Sequence, residues 1–160
     1  FLEAVQTVAE DYPDIELEIV IVDAMAALLV RSPETFDVIV TTNMYGDILS
    51  DEASELAGSL GLAPSINAGD NIAMAQAQHG SAPDIAGQDK ANPTSLILSM
   101  AMLLEWLGRR HNDASLKEAA QAVEEAVHDC LNDPATRTGD LGGPLGTRAF
   151  GQAVADKVKG

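Results

Sequence analysis

NMYGDILSDEASELAGSLGLAPS, residues 43–65, is the stretch on which the reading of this 160-residue chain turns. Residues 45–58 read as a helix. It is entered from the β-branched run FDVIVT at 36–41, which reads as a buried strand. Asp47 and Asp51 lie four apart, so on a helix they share one face. Two like charges side by side repel unless a hard cation lies between them. Mg2+ or Mn2+ takes oxygen ligands and commonly only one or two protein carboxylates, the rest being water or substrate. Asp23, at the end of the run LEIVIV (17–22), is a third candidate ligand. The plain alternative is a solvated helix face. The pair's place in the first turns of a helix that follows a strand favours a ligand, because α/β proteins collect ligands there.

Working outward, helices and strands alternate. Residues 1–10 read as a helix, 12–14 as a turn, LEIVIV as a strand, and 24–30 as a short helix stopped near Ser32-Pro33. Gly61, Pro64, Asn67 and Gly69 mark a loop-rich stretch with a short strand around Ile66, and 71–78 alternates weakly as another strand. Residues 80–92 read as an ordered loop. Residues 94–107 form a strongly apolar helix ended near Gly108, and 115–131 an amphipathic helix opened by a Ser115/Glu118 capping box. A glycine-rich connection at 136–146 leads to a last helix at 147–158. The alternation predicts an α/β class.

Lys+Arg is 9 and Asp+Glu is 25, a net charge of −16. Such a chain is unsuited to nucleic-acid phosphates or to an anionic membrane surface. Cys130 is the single cysteine, so no internal disulfide forms, and a reducing cytoplasmic setting is expected. The charge is lopsided: sixteen acids and only Arg31 up to residue 89, then nine acids and eight bases. Either a metal, a partner or a further segment offsets that field, or the first half is simply a very soluble surface.

The loop His79, Gly80, Ser81, Ala82, Pro83, Asp84, Ile85, Ala86 and Gly87 is the second candidate site. Small residues and glycines let backbone N–H groups approach phosphates or ring edges. Asp84 could accept hydrogen bonds from ribose hydroxyls and would repel a 2′-phosphate, favouring NAD over NADP. The loop lacks the G-x-G-x-x-G pattern, and a structural Ω-like loop remains the alternative. His111, His128 and Cys130 read as surface or packing residues, and neither a nucleophile elbow nor zinc-ligand spacing is present.

NMYGDILSDEASELAGSLGLAPS together with HGSAPDIAGQDKANPTSLILSMAMLLEWLG resembles the β-decarboxylating dehydrogenases, which include isocitrate, 3-isopropylmalate, homoisocitrate and tartrate dehydrogenases. VDAMA (22–26) and RTGDLGG (137–143) match the same patterns. The resemblance runs from the first helix to the last. It implies a three-layer α/β/α fold of which this chain is the C-terminal half, with incomplete sheets. Residues 1–57 would belong to a small dimer-forming domain and 58–160 to a large cofactor-binding domain. It further implies that Asp23, Asp47 and Asp51 are Mg2+ or Mn2+ ligands, Asp23 serving the neighbouring subunit of a homodimer. His79, Asp84 and Asn92 match adenosine-contacting positions, with Asp84 marking NAD.

The family reaction oxidises a 2-hydroxy acid by hydride transfer to the nicotinamide and then releases the 3-carboxyl as CO2. Two departures stand out. Gln76 and Ala77 stand where many relatives carry glutamate and proline. The substrate-binding arginines, the tyrosine acid and the lysine base have no counterparts here, so no catalytic residue is assigned in this half. The isolated chain is expected to be inactive. A non-catalytic metal- or nucleotide-binding module, or a regulatory-type subunit, is the alternative.

Overall fold

The computed structural model describes residues 1–159. The chain divides into two compact units, one covering Phe1–Leu56 and a second beginning at Ala57.

The first unit is helical. Its helices are α1 (Leu2–Ala9), α2 (Val22–Arg31) and α3 (Asn43–Ala57, whose last residue falls in the second unit). Met25 and Leu29, one turn apart on α2, bury against Leu49 of α3, with Val20, Ala26 and Phe36 around them. Pro33 opens a 3-10 turn, Pro33–Thr35, immediately after α2, as the stop at Ser32-Pro33 predicts.

The two strands expected at 17–22 and 36–41 do not form. Among the described residues, residues 16–20 and 37–41 make no backbone hydrogen bond, and Val22 opens α2 instead. β-branched composition is present, but a strand exists only as a member of a ladder. Consequently Ile19, Ile21, Val38 and Val40 stay exposed, Val38 to 79%.

The second unit carries the sheet. β1 (Pro64–Ala68) and β2 (Ala73–Ala77) pair antiparallel, Ile66 opposite Ala75, where short strands were expected. The helices α4 (Thr94–His111), α5 (Ala114–Asn132) and α6 (Thr147–Lys159) complete it. With one hairpin and a majority of helix, the chain is a partial α/β fold.

The hairpin rests on α4 through serines rather than leucines. Ser99 Oγ donates to the Gln76 carbonyl at 2.7 Å and accepts the Ser65 N–H at 3.0 Å. Ser95 Oγ donates to the Ala63 carbonyl at 2.5 Å and accepts the Gln78 N–H at 3.2 Å. Both serines are fully buried. Strand-edge groups facing a helix need such partners, because an unpaired buried amide is costly. The apolar residues Leu96 and Met100 of α4 are exposed.

Gly108 does not end α4. The helix runs on to His111 and closes at Asn112 in the left-handed region, φ 50°. A Cβ on Gly108 would lie 2.7 Å from Lys117 Cγ and 3.0 Å from the Asp113 carbonyl oxygen. The glycine therefore sets the close approach of α4 and α5. The cap of α5 is likewise Asp113 rather than Ser115: its carboxylate accepts the Ser115 N–H at 2.9 Å and the Ser115 hydroxyl at 2.6 Å. These bonds hold the Asp113 carboxyl below its ordinary pKa. The core joins Ala126, Val127 and Cys130 of α5 to Phe150 and Val154 of α6. Burial pushes the Cys130 thiol up, which suits a packing residue.

Candidate functional site

Residues 78–92 leave β2 and pass over the start of α6. Ala82 takes a left-handed conformation (φ 42°), and Pro83–Ile85 form a 3-10 turn. Gly87 (φ 74°) supplies the second left-handed position, where a Cβ would be strained. The loop's far end is latched to α6 through Asp89, itself at φ 56°. The Asp89 carbonyl accepts the Thr147 N–H at 3.1 Å, and its carboxylate accepts the Arg148 N–H at 3.0 Å. Thr147 Oγ1 donates to the Ala91 carbonyl at 2.5 Å. Gly146 permits this approach, since a Cβ there would lie 2.5 Å from the Asp89 carbonyl oxygen. Two of the N–H groups that a helix start leaves unpaired are thus satisfied by the loop.

Loop and helix enclose an open cleft of about 280 Å³. From the expected set, His79, Gly80, Ser81, Ala82, Ile85, Ala86 and Gly87 line it. Asp89, Lys90 and Ala91 of the 80–92 loop also line it, as do Thr147 and Arg148, which sequence reasoning did not single out. Pro83 and Asp84 sit on the exposed turn beside it, where the Asp84 carbonyl accepts a bond from Gln88 Nε2 at 2.7 Å. His79 Nδ1 lies 2.8 Å from the Gly80 carbonyl.

Asn92 is placed differently. It is 7% exposed. Its side-chain carbonyl accepts the Thr94 N–H at 3.0 Å, opening α4, and its amide donates to Asp140 at 3.0 Å. Asp140, from the RTGDLGG segment, also accepts the Ser59 hydroxyl and the Thr138 hydroxyl, each at 2.5 Å. One carboxylate therefore joins the loop after α3, the entry to α4 and the turn before α6.

Partial burial raises the Asp140 pKa, but the bonds from Ser59, Thr138 and Asn92 outweigh it and hold the carboxyl below 3.8. A depressed folded-state pKa adds stability that is fully present above the unfolded value and is lost as pH falls through the folded one. Asp140→Asn is expected to cost about 1–2 kcal/mol at pH 7, solvent screening included. That deficit should shrink as pH drops below about 4. Urea midpoints of both forms at pH 7 and pH 3 decide this; a pH-independent gap would contradict it.

In the first unit, Asp47 and Asp51 are exposed one turn apart on α3. Asp23 lies in the first turn of α2, exposed, with its carboxylate accepting the Ala24 N–H at 2.8 Å. Among the described residues no group of three or more His, Cys, Asp or Glu stands close enough to hold a metal ion. Asp47 and Asp51 present exposed, oxygen-only donors one turn apart. That fits a hard cation completing its shell with water or other oxygens. No helix among the described residues is long and apolar enough to cross a membrane.

The chain is similar to known proteins over almost its whole length. It is 53% identical over 159 residues to the isocitrate/homoisocitrate dehydrogenase of Thermus thermophilus, covering 99% of this chain and 45% of that protein. It is 50% identical over 162 residues to a 3-isopropylmalate dehydrogenase of Pseudomonas fluorescens, covering 98% of this chain and 43% of that one. The crystal structure of isocitrate dehydrogenase from Methylococcus capsulatus superposes with a TM-score of 0.91 at 43% identity, over 99% of this chain and 45% of that one. The chain thus spans somewhat under half the length of these relatives. The isocitrate/isopropylmalate dehydrogenase family model matches residues 1–154, and the chain belongs to that family.

Proposed function

We propose that the natural protein carrying this chain is an NAD-dependent, Mg2+- or Mn2+-dependent enzyme. It would oxidise a 2-hydroxy acid of the isocitrate, homoisocitrate or 3-isopropylmalate type and release its 3-carboxyl as CO2. The observation that carries this reading is the cleft between residues 79–91 and the start of α6, built from glycines, small residues and left-handed turns. There the backbone of His79, Gly80, Ser81, Ala82, Pro83, Ile85, Ala86 and Gly87 would meet the adenosine half of NAD. Asp84 would accept from ribose hydroxyls and repel a 2′-phosphate. Asn92, its side chain spent on Asp140 and α4, would act through its backbone and by anchoring the loop's end.

Asp47 and Asp51 would hold the cation, with Asp23 offered to a partner subunit in a homodimer. When bound, a divalent cation polarises the carbonyl of the oxidised acid. This chain's aspartates would orient it and neutralise part of its charge. The proton-transfer groups and the substrate's carboxylate partners would come from outside these 160 residues. Burying a free thiol at Cys130 is compatible with work in the cytoplasm.

The test is a substrate panel with the natural protein: isocitrate, homoisocitrate and 3-isopropylmalate, each with NAD or NADP and Mn2+. NADH and CO2 should form one to one with one of the acids, with NAD preferred about tenfold or more. No turnover with any acid, in a protein that still binds adenosine, would replace this reading with that of a non-catalytic nucleotide-binding module.

A further inference from the structure

Arg148 sits at the second position of α6, a helix of 13 residues with no acid in its first turn. A cation there opposes the helix dipole, which favours negative charge at its start. Its backbone is fixed by Asp89, yet its guanidinium makes no hydrogen bond or ion pair among the described residues. Lys90, which also lines the cleft, is equally without a partner among the described residues. In a chain of net charge −16, two unpaired cations face one cleft, where the one lining carboxylate, that of Asp89, already accepts the Arg148 N–H. Both side chains are exposed, so their charges stand in solvent at the cleft and are open to a ligand.

We infer that Arg148, together with Lys90, is a specificity-determining contact for a phosphate carried by the adenosine bound in this cleft. The guanidinium offers a planar pair of donors that matches phosphate oxygens, and Lys90 adds a point charge from the loop. The inference rests on the proposed adenosine role of the cleft. The phosphate's chemistry is the same whether it belongs to the 5′ bridge or to a 2′ ester, and separate probes distinguish the two.

The experiment titrates the natural protein and its Arg148→Gln variant with adenosine, 5′-AMP and 2′-AMP by calorimetry at two salt concentrations. The variant should bind phosphate-bearing ligand about tenfold more weakly, with a shallower salt dependence, and bind adenosine unchanged. Its melting temperature should hold or rise slightly, because a cation leaves the positive end of α6. A loss confined to 5′-AMP supports the contact and the NAD preference. One confined to 2′-AMP supports the contact and reverses that preference. Equal affinities of both proteins for all three ligands, or an equal loss for adenosine, overturns the inference while leaving the adenosine site intact. Failure of the unaltered protein to bind any of the three overturns both.

Discussion

Phe150→Ala should cost about 3–5 kcal/mol of stability, read as the shift in urea unfolding of the second unit. Phe150 is fully buried among Val127, Cys130 and Val154, and it is the largest such side chain among the described residues. Truncation removes its transfer free energy and leaves a cavity that two helices cannot close without moving. The effect should reach the cleft, since Phe150 lies two residues beyond Arg148 on α6, the helix that anchors Asp89. Weaker 5′-AMP binding should accompany the loss of stability. Leu96→Ala is the matched control: exposed to 56% on α4, it should change stability by less than about 0.5 kcal/mol. A Phe150→Ala change below about 1 kcal/mol would show that the α5–α6 contact is not the core of this unit.

Asp47→Asn in the natural protein should lower Mn2+-dependent turnover on the order of a hundredfold or more. Asparagine keeps the volume and one oxygen donor but removes the charge that makes a hard cation bind. The fold should be untouched, because Asp47 is exposed and its neighbour on the core side, Leu49, carries the packing. Adenosine binding should also survive, since the cleft is lined entirely by residues beyond Ala57. Glu52→Gln, on the same helix but off the Asp47–Asp51 face, should leave Mn2+ affinity as it is. Unchanged Mn2+ affinity and turnover in Asp47→Asn would remove the metal assignment and return the pair to a solvated helix face.

Much of the fold could be read from local chemistry. The helices α3, α5 and α6 follow apolar spacing and stop signals, and the hairpin strands sit between the glycines and prolines that bound them. Tertiary facts were not legible. Gly108 reads as a stop only until α5 is placed against it. Runs such as LEIVIV carry strand composition, but pairing depends on a neighbour that a local pattern does not specify. The same division holds at the site. Glycine, proline and small residues marked residues 79–87 as a loop able to approach a ligand. Thr147 and Arg148 enter the cleft only because Asp89 holds them there, across a sequence gap of almost 60 residues. A base in the first turn of a helix was the one local signal for Arg148. Asp140 had no such signal, since an aspartate between glycine and leucine looks like any turn residue.

The Asp140 carboxylate also constrains the order of events in folding. Its bonds to Asn92 and Ser59 span 48 and 81 residues. The entropic penalties of closing those two loops differ by only about 0.5 kcal/mol, so neither is the natural first step. Neighbouring helices such as α4 and α5, joined by two residues, meet far sooner. The three-way junction can close only once the surrounding chain has drawn its ends together. The junction at Asp140 therefore belongs to the long-range part of assembly and not to its first contacts.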